Sequence, residues 1–242
     1  MSSQCAWVVV TSKVAEFTEQ KFLISGYKHT DDRRIRTELF DAAGSHHAFH
    51  RHQAILVGPK YVLLVMSQRF NTDVLIIGGG AAGLSAALTL SQHVRVTVLC
   101  KGDITTGSSH WAQGGVAAVT DPEDSFEAHI KDTLDAGGGL CDPDVVRATV
   151  NAGPEAIAQL NEWGVNFDTE GNSLHLTREG GHSFRRVVHV ADATGKAITQ
   201  TLTDQVLDNG NIELFNDRVA IDLINLSTLG RHHSRCAGAY VL

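Results

Sequence analysis

An α/β fold built on a parallel sheet is predicted by three observations. The apolar, β-rich run Asp73-Val74-Leu75-Ile76-Ile77 ends abruptly in Gly78-Gly79-Gly80 and opens into an Ala/Leu-rich segment, Ala81 to about Gln92. A β-branched run, Arg95 to Cys100, then follows at the spacing of a βαβ unit. Beyond it, helix-like and strand-like segments alternate, with Ile212 to Phe215 as a third strand.

The first element is carried by its glycines. Gly78, Gly80 and Gly83 stand at the G-x-G-x-x-G positions of a dinucleotide-binding turn. Gly78 allows the tight turn, Gly80 lets the backbone approach a pyrophosphate, and Gly83 lets the helix pack close on the strand. The helix starts with unpaired N–H groups and the positive end of its dipole. A glycine triplet also makes ordinary loops, but here the strand before it and the helix after it favour a nucleotide site.

The second strand ends at Lys101. An NAD-type unit has an Asp or Glu there, about 20 residues beyond the glycines, to bind the ribose hydroxyls. A lysine cannot accept a hydrogen bond, so the NAD reading weakens. On spacing alone, a solvated lysine and a ligand contact both stay open.

The segment Thr105-Thr106-Gly107-Ser108-Ser109-His110-Trp111-Ala112-Gln113-Gly114-Gly115 offers backbone and hydroxyl donors suited to a phosphate or a flat ring. Alone, such a segment is usually only a loop. Asp124-Ser125-Phe126-Glu127 reads as a capping box opening a helix to about Ala136. Asp142-Pro143 starts a second helix, and Pro154 to Trp163 a third, stopped by Gly164. Short β-like pieces, Ser173 to Leu176 and Arg186 to Val190, flank Thr177-Arg178-Glu179-Gly180-Gly181-His182-Ser183. A glutamate beside glycines and a histidine can build a recognition site, although a solvated turn is the simpler account. Asp192-Ala193-Thr194-Gly195 leads into a helix, Lys196 to Leu207, and Val219 to Ile224 and Cys236 to Leu242 read as two more strands.

Composition bounds the function. The 242 residues, 43% apolar, suit one large domain or two small ones. A net charge of −7 without a long Lys/Arg run argues against nucleic acid as the main partner. Cys5, Cys100, Cys141 and Cys236 lie far apart, with no CxxC, and read as reduced thiols. The most apolar stretch, Ala54 to Met66, is interrupted by Gly58, Pro59 and Lys60 and falls short of the roughly 18–20 residues of a membrane span. Residues 1–12 lack the pattern of a signal peptide. A soluble, cytoplasmic protein with no membrane partner is expected. Residues 1–65 lack sustained periodicity, and Met66-Ser67-Gln68 looks like a natural start, so 1–65 are expected to be a poorly ordered extension. His46, His47, His50 and His52 have no carboxylate or cysteine partner at metal-ligand spacing, so no metal site is expected.

Four motifs stand in one order: Ile76-Ile77-Gly78-Gly79-Gly80-Ala81-Ala82-Gly83-Leu84, then Cys100-Lys101-Gly102, then Gly107 to Gly115, then Leu176 to Ser183 running on to His189-Val190-Ala191-Asp192-Ala193-Thr194-Gly195. Together they resemble the succinate dehydrogenase/fumarate reductase flavoprotein superfamily and, within it, the bacterial L-aspartate oxidases. The resemblance covers roughly residues 67–242. It implies a Rossmann-like FAD-binding domain interrupted by the start of a smaller α+β substrate-capping region, incomplete relative to the family.

The resemblance also implies a cofactor site: Gly78, Gly79, Gly80, Ala81, Ala82 and Gly83, then Lys101, then Ser108, Ser109, His110, Trp111, Ala112, Gln113, Gly114 and Gly115. Succinate dehydrogenases join a loop histidine covalently to the flavin. The matching residue here is Ser108, with His110 two positions on, so non-covalent FAD is implied. Glu179 stands where the oxidases carry a glutamate near the substrate, and a carboxylate there pairs with the α-ammonium that succinate lacks. The implied reaction is hydride transfer from the aspartate α-carbon to flavin. Oxygen or fumarate is the implied acceptor, in the quinolinate branch of NAD biosynthesis, with quinolinate synthase as a downstream partner. The family's catalytic arginine and helical C-terminal domain lie beyond residue 242. The chain by itself is therefore expected to bind FAD weakly or not at all and to lack turnover. Two alternatives stay open: a fumarate reductase or succinate dehydrogenase flavoprotein, against which Ser108 and Glu179 speak, and a non-catalytic FAD-binding module. An NAD(P)-dependent dehydrogenase fits least.

Overall fold

The computed structural model describes residues 7–26, 52–56, 61–226 and 235–242. In chain order these form β1 (Trp7–Gly26), β2 (His52–Leu56), β3 (Tyr61–Ile77), α1 (Ala81–Leu90), β4 (Val96–Leu99), β5 (Val116–Ala117), α2 (Phe126–Ala136) and α3 (Pro143–Glu162). There follow β6 (Thr169–Glu170), β7 (Ser173–Leu174), β8 (Leu176–Thr177), β9 (Val187–Val188), α4 (Thr194–Leu207), β10 (Ile212–Phe215), β11 (Ala220–Asn225) and β12 (Cys236–Val241). The chain divides into two units, one built on Val74–Asp217 and the other on Val10–Asp73 with Arg218–Leu242.

The Val74–Asp217 unit carries the parallel sheet. The C-terminal part of β3 pairs with β4 from Val74↔Val96 to Ile77↔Leu99, and β4 pairs in parallel with β10 from Ile212↔Val96 to Phe215↔Leu99. Val96 to Leu99 is buried at every position, as expected of a central parallel strand covered on both faces. Leu84, Ala87 and Leu88 of α1 and Ile198, Leu202 and Val206 of α4 close over Val74, Ile76, Val96 and Val98 to make the main core. Ser91, at the end of α1, fixes the approach to β10: Asn209 Nδ2 donates to its Oγ (3.0 Å) and Asn211 Nδ2 to its carbonyl (3.0 Å).

Beside this core lies a small antiparallel sheet in the order β5-β9-β8, with register Val116↔Val188 and Leu176↔Val188. β6 and β7 form a separate hairpin, turned at Gly171 with φ 62°. Helices α2 and α3 pack through Ile130, Val146 and Val150. In the other unit β2 pairs antiparallel with the first part of β3, and β1, β12 and β11 are neighbours, β1–β12 parallel and β11–β12 antiparallel.

Three expectations need correction. Residues 143–162 make one helix, not two, with Pro154 inside it. The apolar face Val146, Val150, Ile157 continues past the proline, and its burial outweighs the lost backbone bond. The capping box is not formed either. Ser125 is the N-cap of α2, accepting from the Ala128 amide at 3.2 Å, whereas Asp124 is buried and serves elsewhere. Finally, α4 begins at Thr194 rather than Lys196, because the Thr194 hydroxyl accepts the Val190 amide and pulls the first turn in. His46, His47 and His50 lie outside the described residues, as does much of the expected extension 1–65; of His52 only the strand backbone is described. Among the described residues no helix is long and apolar enough to cross a membrane, and no metal-binding group occurs.

Candidate functional site

The carboxyl ends of parallel strands are where ligands of such sheets bind. At that edge the glycines after β3 each have a distinct physical duty. Gly78 sits at φ 117°, a conformation that side chains disfavour, and its amide donates to Leu99 O at 2.8 Å. A Cβ on Gly83 would overlap the Gly78 carbonyl oxygen, so α1 rests directly on the turn. A Cβ on Gly79 would overlap Cys100 Sγ, a contact that the motif alone does not announce. Gly80 is the N-cap of α1 and supplies no side-chain cap; a Cβ there would stand 3.2 Å from Ser109 Oγ.

The N-terminus of α1 faces that open position. Ala81 N–H donates to Ser109 Oγ at 3.3 Å, and Leu84 N–H already bonds Gly80 O at 3.0 Å. No partner stands at the amides of Ala82 and Gly83 among the described residues. Free amides at a helix start, a bare Gly80 and the exposed Lys101 at the end of β4 suit the pyrophosphate of an extended dinucleotide. Asn216, just past β10 on the same edge, has a buried Oδ1 with no partner, a further acceptor that pattern reading missed.

The loop after β4 is held from two sides. Residues 107–112 form a helical turn, with His110 N–H to Gly107 O (3.0 Å) and Trp111 N–H to Ser108 O (3.2 Å). Ser109 ties it to α1, and the Gly195 amide donates to Ala112 O at 2.8 Å from the first turn of α4. A Cβ on Gly195 would overlap Ser109 O, so this glycine permits the docking. His110 Nδ1 lies 3.2 Å from Thr199 Oγ1. That hydroxyl donates to Gly195 O at 2.7 Å, so it accepts from His110, and the ring is a tether to α4. Trp111 is 72% exposed, and Ala112, Gln113 and Gly114 are exposed beside it. Gly115, at φ 87°, turns the chain into β5 against Val188 O.

Glu179 sits in the exposed loop between β8 and β9. Its carboxylate has no hydrogen-bond or ion-pair partner among the described residues, while its carbonyl accepts from His182 N–H at 3.2 Å. The base of the loop is clamped by a buried ion cluster. Arg186, fully buried, donates through Nε and Nη2 to both Asp124 oxygens (2.8 Å each) and through Nη1 to Asp132 Oδ2 (2.8 Å). Asp132 also accepts the amide and hydroxyl of Ser183, each at 2.6 Å. Burial pushes the Asp132 carboxyl up, but the Ser183 bonds and the Arg186 guanidinium outweigh it and hold its pKa at about 2. The clamp joins residues 54 to 62 positions apart and has no local pattern that sequence reading would catch. A cleft of about 660 Å³ opens beside it, with Asp121, Arg178 and Arg185 in its lining.

Strand register places the two predicted parts of the site at opposite ends of the small sheet. Gly115 precedes Val116 at one end, while Arg178 follows Thr177 at the other. No hydrogen bond or ion pair joins Glu179 to residues 108–115 among the described residues.

His129 is buried beside this clamp, with its Nδ1 unpartnered and its ring edge-on to His182 at 6.0 Å. Burial first, then the charge of Arg186 and the neighbouring His182, lower its pKa below the ordinary 6.5. The unfolded chain therefore takes up a proton that the folded one refuses. Stability is unaffected by this group above pH 6.5 and falls as the pH drops below it. His129→Gln should flatten that loss in thermal melts recorded between pH 7.5 and 5.5; an unchanged slope would contradict the assignment.

A family model described as an FAD binding domain matches residues 73–242. The chain is 56% identical over 185 residues to an L-aspartate oxidase of Pseudomonas aeruginosa, covering 73% of this chain and 34% of that protein. It is 48% identical to an L-aspartate oxidase of Acinetobacter baylyi, covering 70% and 32%. Among solved structures it is similar to an E. coli quinol fumarate reductase, with TM-score 0.59 and 32% identity, covering 62% of this chain and 26% of that one. A flavocytochrome c3 fumarate reductase, at TM-score 0.58 and 22% identity, shares the fold, covering 69% and 31%. The chain spans about a third of the length of the curated relatives it matches.

Proposed function

The chain belongs to the FAD-binding domain family of the succinate dehydrogenase and fumarate reductase flavoproteins, and from that premise we propose that it serves the oxidation of L-aspartate to iminoaspartate. The observation that carries this reading is the free Glu179 carboxylate, presented on a loop whose base is pinned by the Arg186–Asp124–Asp132 cluster. A fixed anion there selects a substrate bearing an α-ammonium, and succinate or fumarate offers none. The identity with L-aspartate oxidases supports the same choice.

In this reading the amides of Ala82 and Gly83, with Ser109 and Lys101, hold the cofactor phosphates. Residues 108–115 would hold the ring system. Bound FAD supplies the electron sink that takes a hydride from the substrate α-carbon. Glu179 orients the substrate nitrogen, and Arg186 acts only through the loop it anchors. Oxygen or fumarate serves as the final acceptor, and the product feeds the synthesis of the nicotinamide cofactor. Because most of each relative lies outside this stretch, FAD binding by the 242 residues is weaker than in proteins of the relatives' full length. The FAD-binding part starts near residue 66. A chain lacking residues 1–65, and with them β1 and β2, therefore keeps its FAD affinity, and loss of that affinity on deletion would refute that boundary.

The test is a version extended to the length of its relatives and purified with FAD. It should oxidise L-aspartate and leave succinate unchanged. Glu179→Gln should raise KM for aspartate about 10–100-fold, the worth of one charge-assisted bond. Equal turnover of succinate, or an unaltered KM in the variant, would overturn the reading and favour a fumarate reductase-type flavoprotein.

A further inference from the structure

The loop that carries Glu179 lies along one face of α2. His129, Asp132 and Ala136 stand at i, i+3 and i+7 of that helix, which places them on a single face. The loop meets all three. A Cβ on Gly181 would lie 4.0 Å from Ala136 Cβ, Ser183 donates its amide and hydroxyl to Asp132, and the His182 ring stands edge-on to His129 at 6.0 Å. Glu179 is tied to the same contact, because its carbonyl accepts the His182 amide at 3.2 Å. Gly180 and Gly181 separate the two residues, with Gly181 at φ 91° and open space where a Gly180 side chain would stand. Whatever holds His182 on α2 therefore sets where the Glu179 backbone stands.

The two polar contacts differ in kind. Ser183 bonds a carboxylate whose pKa is held at about 2, so that contact is unchanged across the neutral range. The other contact joins two imidazoles, each with a buried Nδ1 that has no hydrogen-bond partner among the described residues. A neutral ring can keep a lone pair there. An imidazolium carries hydrogen on both nitrogens, and a buried charged donor without an acceptor is costlier than a neutral one. The nearby carboxylates are already spent: Asp124 gives both oxygens to Arg186, and Asp132 gives its own to Arg186 and Ser183. Among the described residues, Arg186 and His182 oppose protonation of His129, whereas Asp124 and Asp132 favour it. Burial comes first, followed by Arg186 and His182, and together they prevail.

We propose that His129 and His182 are a proton-sensitive latch for the Glu179 loop, closed on α2 while His129 is neutral and released when His129 takes up a proton from water. Lifting the loop removes the His182 wall and lets water reach Nδ1 of both rings, which gives the imidazolium its acceptor. Release costs the two Ser183 bonds, while Arg186 keeps its bonds to Asp124 and Asp132, so the opening is confined to the loop. Both histidines are positioning residues. That the group they position orients a substrate ammonium rests on the amino-acid oxidase reading above; the latch itself is a property of these 242 residues. The open loop binds the proton more tightly than the closed one. The closed form is therefore undiminished above the ordinary 6.5 of histidine and loses ground as the pH falls below it.

The test is amide hydrogen exchange on the 242-residue chain at constant ionic strength and at pH 7.5, 6.5 and 5.5, each rate divided by the intrinsic rate of that amide. The Ser183 amide, bonded to Asp132, reports the latch, and Val98, in the middle of the buried β4, reports global unfolding. Ser183 should be protected, but roughly tenfold or more less than Val98 at every pH, as a locally opening segment is. Its protection should fall about threefold to tenfold between pH 7.5 and 5.5, the range that uptake of one proton over one pH unit allows. His129→Gln should bring that fall below twofold. His182→Gln, which leaves the titrating ring but removes the neighbour that covers it, should leave a smaller fall than in wild type. An unprotected Ser183 amide, equal protection of Ser183 and Val98, protection indifferent to pH, or an undiminished fall in either variant would each overturn the latch. Exchange needs neither FAD nor aspartate, so failure of the oxidase reading leaves these results standing, and failure of the latch leaves aspartate oxidation to be judged by its own assay.

Discussion

Arg186→Leu is expected to cost about 3–5 kcal/mol of stability, the penalty for leaving a buried charge without its partner. Here two carboxylates are left. Asp124 is nearly inaccessible and spends both oxygens on the guanidinium. Asp132 keeps its two bonds from Ser183 but loses the cation that lets it stay charged. Urea unfolding of wild type and variant at pH 7 measures the difference. A loss under 1 kcal/mol would mean that the cluster is not closed as described. The pH dependence has a definite sign as well. The Asp132 carboxyl is held at about 2, below its value in an unfolded chain. Its contribution is therefore complete above the ordinary carboxylate range and disappears as the pH falls toward 2. In Arg186→Leu the acid limb of the stability curve should move to higher pH.

Gly195→Ala should have the second-largest effect, and it acts on residues 108–115, the proposed cofactor loop. A Cβ there would overlap Ser109 O and crowd Ala112 O, both of them backbone atoms that cannot rotate away. Either the loop lifts from α4 or α4 shifts in a core closed by Ile198 and Leu202. Overpacking of this kind costs about 1–3 kcal/mol or more. The displaced loop also carries Ser109 away from the Ala81 amide, so FAD affinity should fall at least tenfold. Thermal melts and FAD fluorescence titration of the variant check the two parts separately. Wild-type affinity in Gly195→Ala would show that the clamp on α4 plays no part in cofactor binding.

The parts of this molecule that repeat locally were legible in its sequence. The glycine turn, the start of α1 and the buried β4 follow from the spacing of glycines and β-branched residues over some 25 positions. What escaped is held by contacts between distant residues. Asp124 has the look of a helix cap because caps are local, yet Arg186, 62 residues on, claims it. Gly195 reads as a helix start, and only the docking of residues 109–112 on it shows why a side chain is excluded. Pro154 reads as a helix break because propensity speaks for one residue at a time, whereas the buried face spans the whole of α3. The proposed site residues stand in sequence motifs, but their separation across the small sheet follows from register, which no motif carries.

The measurement that bears most directly on the central claim is a fluorescence titration of the purified 242-residue chain with FAD, beside Gly80→Val and Glu179→Gln. The cofactor should bind saturably, if weakly. Affinity should fall at least tenfold in Gly80→Val, where a branched side chain fills the space in front of the α1 amides against Ser109 Oγ. It should stay within twofold in Glu179→Gln, whose carboxylate lies outside the cofactor loop. An affinity indifferent to Gly80→Val would contradict the placement of FAD at the turn between β3 and α1.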